Sequence, residues 1–224
     1  TYNTAELKTA VDGLTCLKPE MEKAPEDAKL TFNGTTYEMK KEQQGQKVIR
    51  EKAEAAIKKA IETGKTTVDL EAEDCYEKPK LTSGDPMLRK KYERLYHYTS
   101  VRVVYDFGDK KETLDGSTIN NWLTVDEDGT VSLDQDAVAE YVYSLAQKYD
   151  TYGKTRNFET HDGSYVEVSG GAYGWLIDQN AENEQLLSIL KDGRQVEREP
   201  VYAQTAATRE NCDMGNSYVE VDLS

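Results

Sequence analysis

An internal repeat constrains this chain more than any other feature of its sequence. Two Asx-Gly pairs, Asn33-Gly34 and Asp162-Gly163, are each flanked by strand-like residues, and each predicts a β-hairpin. They lie 129 residues apart, and two further pairs of glycines share that offset: Gly45 with Gly174, and Gly64 with Gly193. Turn signals repeated at one offset predict two structurally related units.

Each copy also predicts a helix after its hairpin. In the first copy the apolar residues from Ala53 to Ile61 follow helical spacing, and Gly64 can end the helix. In the second, Asp178 is a suitable N-cap before a leucine stripe from Leu186 to Leu190. We expect a strand after each helix, over 66–70 and 195–201.

Further helices are expected before each hairpin, over 5–14 and 136–149. Between the copies, Asp85-Pro86 is typical of a helix N-terminus. The fold class is therefore α+β, with two related helix-strand-helix-strand units that carry small antiparallel or mixed sheets. The expected domains are a divergent first unit over 1–83, a linker helix over 84–100, a second unit over 101–207 and a linker or strand over 208–224.

Composition excludes several classes of partner. The 224 residues include 28 basic and 42 acidic side chains, for a formal net charge of −14, which disfavours nucleic acid and anionic membranes. No stretch approaches 18 consecutive apolar residues, so no membrane insertion by this chain is expected. Hydrophobic residues make up only 37%, so we expect thin cores and an elongated, monomeric arrangement.

The sequence does not indicate a catalytic or metal site. His161 stands in a predicted hairpin turn and His97 near a predicted helix end, so neither is placed as a general base. The three cysteines, Cys16, Cys75 and Cys212, are far apart and form no CxxC, and unpaired thiols are favoured over one disulfide. The acidic run 126–129 resembles a calcium loop but lacks the final bidentate glutamate, so an Asp-Gly turn is the better interpretation. We expect no cofactor.

A family resemblance emerges in the second copy. It is carried by Ala146-Gln147-Lys148-Tyr149-Asp150-Thr151, Arg156-Asn157-Phe158, Val168-Ser169-Gly170-Gly171-Ala172-Tyr173-Gly174-Trp175, Ile177-Asp178, Arg198-Glu199-Pro200-Val201-Tyr202, Gln204-Thr205-Ala206-Ala207 and Gly215-Asn216-Ser217-Tyr218-Val219-Glu220-Val221-Asp222. The chain resembles the peptidoglycan-binding repeat that precedes the catalytic domain of Gram-positive L,D-transpeptidases. Similar repeats precede VanW-type cell-wall domains. The resemblance is close over 101–224 and loose over 1–83, where the Gly-Gly-x-Tyr-Gly-Trp segment is missing.

The resemblance implies an accessory region and not the enzyme itself. In the family, the catalytic cysteine follows Ser/Thr-His-Gly, and none of the three cysteines here follows His-Gly. The stretch 217–223 resembles the strand that enters the catalytic domain, so we expect that domain as the missing C-terminal partner. The resemblance also implies an extracellular, cell-wall location with an N-terminal membrane anchor outside this chain.

The candidate binding residues are Gly170, Gly171, Tyr173 and Trp175. Glycines allow a ligand close to the backbone, and aromatic faces suit sugar rings or peptide stems. The alternative is structural: the glycines supply positive φ, and Trp175 packs against the following helix. The first copy has no aromatic residue at this place, so the repeat does not need one to fold.

We therefore expect a non-catalytic region that binds peptidoglycan weakly or positions a cross-linking enzyme on it. A ligand-free mechanical spacer and an accessory region of a VanW-type protein remain open. A free-standing hydrolase with a carboxylate pair is disfavoured, because no one pair stands out among 42 acidic residues.

Overall fold

A computed structural model describes residues 4–169 and 171–206 of the chain. Helices mix with small open sheets of two or three strands, which confirms the predicted α+β class. The described residues fall into two units, one of 4–31 and 38–92, the other of 32–37, 93–169 and 171–206. No helix within these residues is long and apolar enough to cross a membrane.

The first unit has a core of small side chains. Its elements are α1 (Thr4–Asp12), 3₁₀ turns at Thr15–Leu17 and Pro19–Met21, α2 (Arg50–Glu62) and most of β1 (Lys29–Phe32) and β2 (Tyr37–Lys40). The hairpin end of these two strands, residues 32–37, belongs to the second unit. The core consists of Val11, Leu17, Val48, Ala53, Ala56 and Cys75. Ile61, expected on the buried stripe of α2, is 44% exposed. Because alanine buries little apolar area, this core supplies modest hydrophobic stabilisation.

The two predicted hairpins are both present. Strands β1 and β2 are joined through Asn33, whose Oδ1 accepts hydrogen bonds from the N–H groups of Thr35 and Thr36 at 3.0 and 2.9 Å. Strands β7 (Arg156–Glu159) and β8 (Tyr165–Val168) form the second hairpin. In its turn, hydrogen bonds from Thr160 and Ser164 lower the pKa of Asp162 to about 2.

The strand predicted over 66–70 is absent, and that prediction was wrong. These residues lead into a turn in which Asp69 Oδ1 accepts hydrogen bonds from the N–H groups of Glu71 and Ala72, at 2.9 and 3.1 Å. A side-chain acceptor at this spacing satisfies the backbone locally and competes with strand pairing. The strand predicted over 195–201 is present only over its first four residues, as β10 (Gln195–Arg198), and a separate strand, β11 (Tyr202–Gln204), follows Pro200.

Helix α3 (Pro86–Thr99) begins in the first unit and ends in the second. As predicted, Asp85 caps it: Oδ1 accepts hydrogen bonds from the N–H groups of Met87 and Leu88. The expected role of this segment as a linker stays a prediction.

The second unit is built around a three-stranded mixed sheet. Its remaining elements are β3 (Arg102–Asp106), β4 (Lys111–Leu114), α4 (Gly116–Ile119), a 3₁₀ turn at Asn120–Trp122, β5 (Leu123–Val125), β6 (Val131–Leu133), α5 (Gln135–Tyr149), β9 (Leu176–Ile177) and α6 (Gln179–Asp192). Strand β3 is central, parallel to β10 and antiparallel to β4. Val103, Val104 and Tyr105 are all buried, so both faces of β3 are covered, whereas alternation alone would bury every second residue.

Helices α5 and α6 begin and end as the sequence indicates. Asp134 caps α5, and Asp178 caps α6 by accepting a hydrogen bond from Ala181 N–H at 3.1 Å. Gly193 ends α6 in the left-handed conformation. The acidic run before α5 forms the turn between β5 and β6, with Gly129 at φ +80°, as an Asp-Gly turn requires.

A buried carboxylate joins three elements of the second unit. Glu182, in the first turn of α6, is fully buried. Its Oε1 accepts hydrogen bonds from the Tyr105 hydroxyl at 2.7 Å and from an Arg198 guanidinium N–H at 2.6 Å, and its Oε2 accepts one from Val201 N–H at 2.7 Å. The carboxylate thus ties α6 to β3, to β10 and to the segment that connects β10 with β11.

We predict that Glu182→Ala lowers the free energy of unfolding by about 3–5 kcal/mol, because it leaves the buried Tyr105 hydroxyl and the largely buried Arg198 guanidinium without their acceptor. Urea unfolding measures the loss. Glu197→Ala is the matched control, since Glu197 pairs with Lys111 on the exposed side of β10 and should cost little. Equal losses in the two variants would contradict the role assigned to Glu182.

Candidate functional site

The described candidate residues lie in the loop between β8 and β9, which packs against the loop after α5. We call residues 150–155 and 171–175 the paired loops. Gly171, Tyr173 and Trp175 belong to them, whereas Gly170 lies outside the described residues. Sequence reasoning singled out only the 171–175 side.

Backbone hydrogen bonds hold the paired loops together. The N–H groups of Thr151 and Tyr152 donate to the Trp175 carbonyl at 2.9 and 3.0 Å, and Trp175 N–H donates to Thr151 Oγ1 at 2.9 Å. Gly153 N–H donates to the Tyr173 carbonyl at 3.2 Å. Both aromatic residues are therefore fixed at their backbone.

A side chain from β11 closes the loop from the other direction. Gln204 Nε2 donates to the carbonyls of Ala172 and Gly174, at 2.6 and 3.0 Å. One amide group thus satisfies two carbonyls of the same loop. The 171–175 segment is held between the loop after α5 and strand β11.

Gly174 is required by the close approach of the two loops. It is buried with φ +127°, and a Cβ at this position would lie 2.5 Å from the Thr151 carbonyl oxygen. Gly171 also has positive φ, +85°, but an added Cβ would meet no atom within 4 Å. The two glycines therefore differ: Gly174 permits contact between backbones, whereas Gly171 only permits a turn.

The two aromatic rings are each half-buried against a neighbouring side chain. Trp175 lies edge-on to Tyr202 of β11, with ring centroids 4.8 Å apart. The Arg156 guanidinium lies over the Tyr173 ring at 5.6 Å and donates hydrogen bonds to the carbonyls of Thr151 and Lys154 at 2.6 and 2.9 Å. Each ring therefore has a supported orientation and retains accessible surface.

Asp150 anchors the start of the paired loops to β9. Its Oδ1 accepts a hydrogen bond from Ile177 N–H at 2.9 Å. Burial raises the pKa of the Asp150 carboxyl, and the hydrogen bond from Ile177 opposes this effect only in part. The Asp150 carboxylate thus serves as the hydrogen-bond acceptor for a backbone N–H at the edge of the core.

The family to which the chain belongs is shown by its sequence. The model of the family described as "Putative peptidoglycan binding domain" matches residues 1–69 and 94–197. The chain belongs to this family. The second matched segment contains the paired loops, and the first contains the β1–β2 hairpin and helix α2 of the first unit.

Solved structures provide two further similarities. One is the Ldtfm–avibactam carbamoyl enzyme, with 30% identity over 54% of this chain and 47% of that chain, and a TM-score of 0.42. The other is a mutant of the Enterococcus faecium L,D-transpeptidase, with 31% identity over 52% and 47% and a TM-score of 0.40. This chain spans less than half the length of either structure. Among curated proteins, none matched.

The histidines and cysteines of this member of the peptidoglycan-binding family were the other residues considered as reactive groups. His97 Nε2 lies 2.9 Å from the Lys191 carbonyl oxygen, and His161 stands in the exposed turn of the β7–β8 hairpin. Among the described residues, Cys16 and Cys75 are free thiols, and burial raises the pKa of the Cys75 thiol. Cys212 lies outside the described residues.

Sequence reasoning missed the residues that support the aromatic rings. Arg156, Tyr202 and Gln204 all stand within the segments that carry the family resemblance, so the signal was present in the sequence. The sequence did not indicate their function, because they come from two different strands, β7 and β11, and meet at the paired loops only in the fold. Asp150 and Thr151 also stand within a segment that carries the resemblance, 146–151, but were not singled out as site residues.

We predict that Gly174→Ala destabilises the second unit by about 3 kcal/mol, because the new Cβ strains the backbone and collides with the Thr151 carbonyl. Gly171→Ala is the matched control and should cost about 1 kcal/mol, the strain of a positive φ alone. Chemical denaturation measures both. Losses of the same size would mean that the close approach of the paired loops is not the reason for a glycine at position 174.

We predict a pH-dependent effect of Asp150→Asn. Because its pKa is raised, the Asp150 carboxyl stays protonated to higher pH in the folded chain than in the unfolded chain. This preference for the proton stabilises the folded state fully below about pH 3.8, and the stabilisation is lost as the pH rises through the pKa of the folded state. Asparagine keeps the acceptor for Ile177 without the charge. The stability of the variant relative to the parent should therefore rise between about pH 3 and pH 7. A difference that stays constant or falls over this range would refute the assignment.

Proposed function

We propose that this chain is the non-catalytic region of an L,D-transpeptidase-like cell-wall protein, and that it binds or positions the protein on peptidoglycan through Tyr173, Trp175 and the glycines beside them. Family membership supports the cell-wall assignment. The segments around Trp175, Tyr202 and Gln204 support the relation to L,D-transpeptidases, because they carry the sequence resemblance. An extracellular location and an anchor outside this chain belong to the same proposal.

The observation that carries the proposal is the fixed orientation of two accessible aromatic rings. The 171–175 loop is held by hydrogen bonds from Thr151, Tyr152, Gly153 and Gln204. A ligand that stacks on Tyr173 or Trp175 therefore does not have to order the loop first, and preorganisation of this kind lowers the entropic cost of binding.

Charge limits which wall component can bind. With a net charge of −14, the chain repels polyanionic wall polymers such as teichoic acids. The sugars of peptidoglycan are uncharged and its peptide stems carry amino groups, so both remain compatible with this surface. Binding to peptidoglycan should therefore depend only moderately on salt.

Asp150 bears on the hypothesis that the chain is a carboxylate-dependent hydrolase. Its carboxyl has a raised pKa, as a general acid would. However, its Oδ1 already accepts a hydrogen bond from Ile177, so it holds the loop in place. A binding role for the paired loops is favoured over hydrolysis.

A ligand-free spacer predicts no binding to peptidoglycan at all, and a VanW-type protein would carry a different catalytic domain beside this region.

We predict saturable co-sedimentation of the chain with purified sacculi at low and moderate salt. Trp175→Ala and Tyr173→Ala should each weaken binding about tenfold, because each removes a stacking ring. Tyr143→Ala is the control, since Tyr143 is a 55% exposed aromatic on α5 outside the paired loops. Circular dichroism verifies that each variant folds.

Absence of sedimentation at both salt concentrations would overturn the binding role and favour the spacer. Equal binding by the Trp175, Tyr173 and Tyr143 variants would place the contact elsewhere on the chain.

A further inference from the structure

The two hairpins of the chain are built alike. In each turn, the Oδ1 atom of the Asx residue accepts a hydrogen bond from the N–H group two residues later: Asn33 from Thr35 at 3.0 Å, and Asp162 from Ser164 at 3.1 Å. The glycine that follows the Asx residue has positive φ in both turns, +101° and +79°. The strand after each turn, β2 or β8, has four residues and begins with a tyrosine. The hairpins are therefore counterparts in structure as well as in sequence.

The end of the first hairpin, residues 32–37, packs within the second unit. Thr36 Oγ1 lies 3.2 Å from Thr99 Oγ1, at the C-terminal end of α3. Thr99 is only 1% exposed, and its hydroxyl donates to the Leu95 carbonyl at 2.7 Å. Because the single proton of that hydroxyl is engaged, the Thr36 hydroxyl is the donor to Thr99. The turn of the hairpin thus helps to satisfy a buried polar group.

Gly116 shows how closely the hairpin end is held. This residue is buried at the start of α4, and a Cβ there would overlap the carbonyl oxygens of Thr35 and Thr99. Only glycine therefore leaves room for the turn at this position. Beside it, Tyr37 is half-buried, with its ring centroid 5.2 Å from that of Phe32. The hairpin end is thus seated in a notch made by small residues.

The end of the second hairpin has no comparable cover in the described part of the chain. Residues 161–169 are all exposed. Tyr165, which begins β8 as Tyr37 begins β2, is 69% exposed, and Val166 is 49% exposed. Two-stranded hairpins have little stability on their own, and clustered exposed apolar side chains mark interaction surfaces. The same structural element is therefore covered in one copy of the repeat and bare in the other.

The repeat indicates where the cover of the second hairpin lies. In the first copy the covering residues, Thr99 and Gly116, come later in the chain than α2, the helix that completes that copy. The 129-residue offset that relates Gly34 to Gly163 carries their counterparts past Ser224. The proposed function has the catalytic domain of the same protein at that place. By the pattern of the first copy, the cover of the second hairpin is expected on that domain.

We propose that the end of the β7–β8 hairpin, residues 160–165, is a docking surface for the domain that follows Ser224 in the same protein. The proposal rests on the proposed function, which supplies that domain, and it names the surface by which the two are joined. Docking covers the Tyr165 ring and stabilises a hairpin that is exposed without it.

The first hairpin also indicates the chemistry of the surface that receives the second. Thr99 and Gly116 present a hydroxyl and a bare backbone to residues 32–37. The following domain should likewise offer small side chains and a hydrogen-bonding group to the turn, with apolar area for the tyrosine that begins β8. Because β7 begins directly after the 150–155 loop, docking here ties the orientation of that domain to the paired loops.

Hydrogen–deuterium exchange, read by mass spectrometry, compares the 224-residue chain with the longer protein that includes the following domain. Amides of 160–168 should exchange at least about tenfold more slowly in the longer protein, because docking covers them. Amides of 29–40 should exchange equally in both proteins, since the cover of the first hairpin lies within the 224 residues. The first hairpin is therefore an internal reference.

Tyr165→Lys in the longer protein should abolish the slow exchange, because burying an unpaired charge opposes docking. Tyr143→Lys is the matched control, since Tyr143 is a 55% exposed tyrosine on α5, and it should keep the slow exchange. Circular dichroism of both variants in the 224-residue chain verifies that they fold.

Equal exchange over 160–168 in the two wild-type proteins would overturn the inference, as would equal losses in Tyr165→Lys and Tyr143→Lys. Slow exchange that appears in the 224-residue chain as its concentration rises would also overturn it, because a second copy would then cover the hairpin.

Failure of the proposed function gives a different result. If the sequence after Ser224 encodes no domain with Ser/Thr-His-Gly-Cys, the proposed function fails, and the docking surface fails with it. If that domain is present and the chain sediments with sacculi, while hairpin exchange is the same in both proteins, only the docking surface fails.

Discussion

The second unit depends on one buried carboxylate. Glu182 receives hydrogen bonds from the Tyr105 hydroxyl, the Arg198 guanidinium and Val201 N–H, and so joins helix α6 to the central strand and to the connection between β10 and β11. Burial raises the pKa of Tyr105, which keeps its hydroxyl protonated and able to donate. Val201, which Glu182 holds, directly precedes β11, and Tyr202 and Gln204 of β11 contact the 171–175 loop. The position of that loop is therefore linked to the buried carboxylate. The candidate site is thus supported from inside the core.

Local signals in the sequence predicted much of the fold, because the contacts that decide hairpins and helix ends are themselves local. Asn33 and Asp162 form their turns with neighbours two or three residues away, and Asp85 and Asp178 cap helices over the same range. The strand expected over 66–70 failed for the same kind of reason: Asp69 satisfies nearby N–H groups and the backbone turns. No periodicity of apolar residues reveals that competition.

The candidate site was only half predictable. Glycines and aromatic residues in 171–175 suggested a loop that another segment approaches closely. The structure shows that this close approach occurs at Gly174 and not at Gly171. The partner of that approach, Thr151, lies more than 20 residues earlier in the sequence, and Arg156, Tyr202 and Gln204 arrive from other elements. The first unit lacks both the aromatic segment and a large-residue core, although the family model matches residues 1–69. The two copies therefore share a pattern of turns but differ in the surface built upon it.

The attachment of β11 has a mechanical consequence. This strand is paired with β9 at only two positions, Tyr202 with Ile177 and Gln204 with Leu176, and the Gln204 amide holds the carbonyls of Ala172 and Gly174. A pulling force on the backbone beyond Gln204 therefore reaches the aromatic loop before it reaches helix α6 or the central sheet. Load on this end of the described chain and the geometry of the Tyr173 and Trp175 surface are therefore directly coupled.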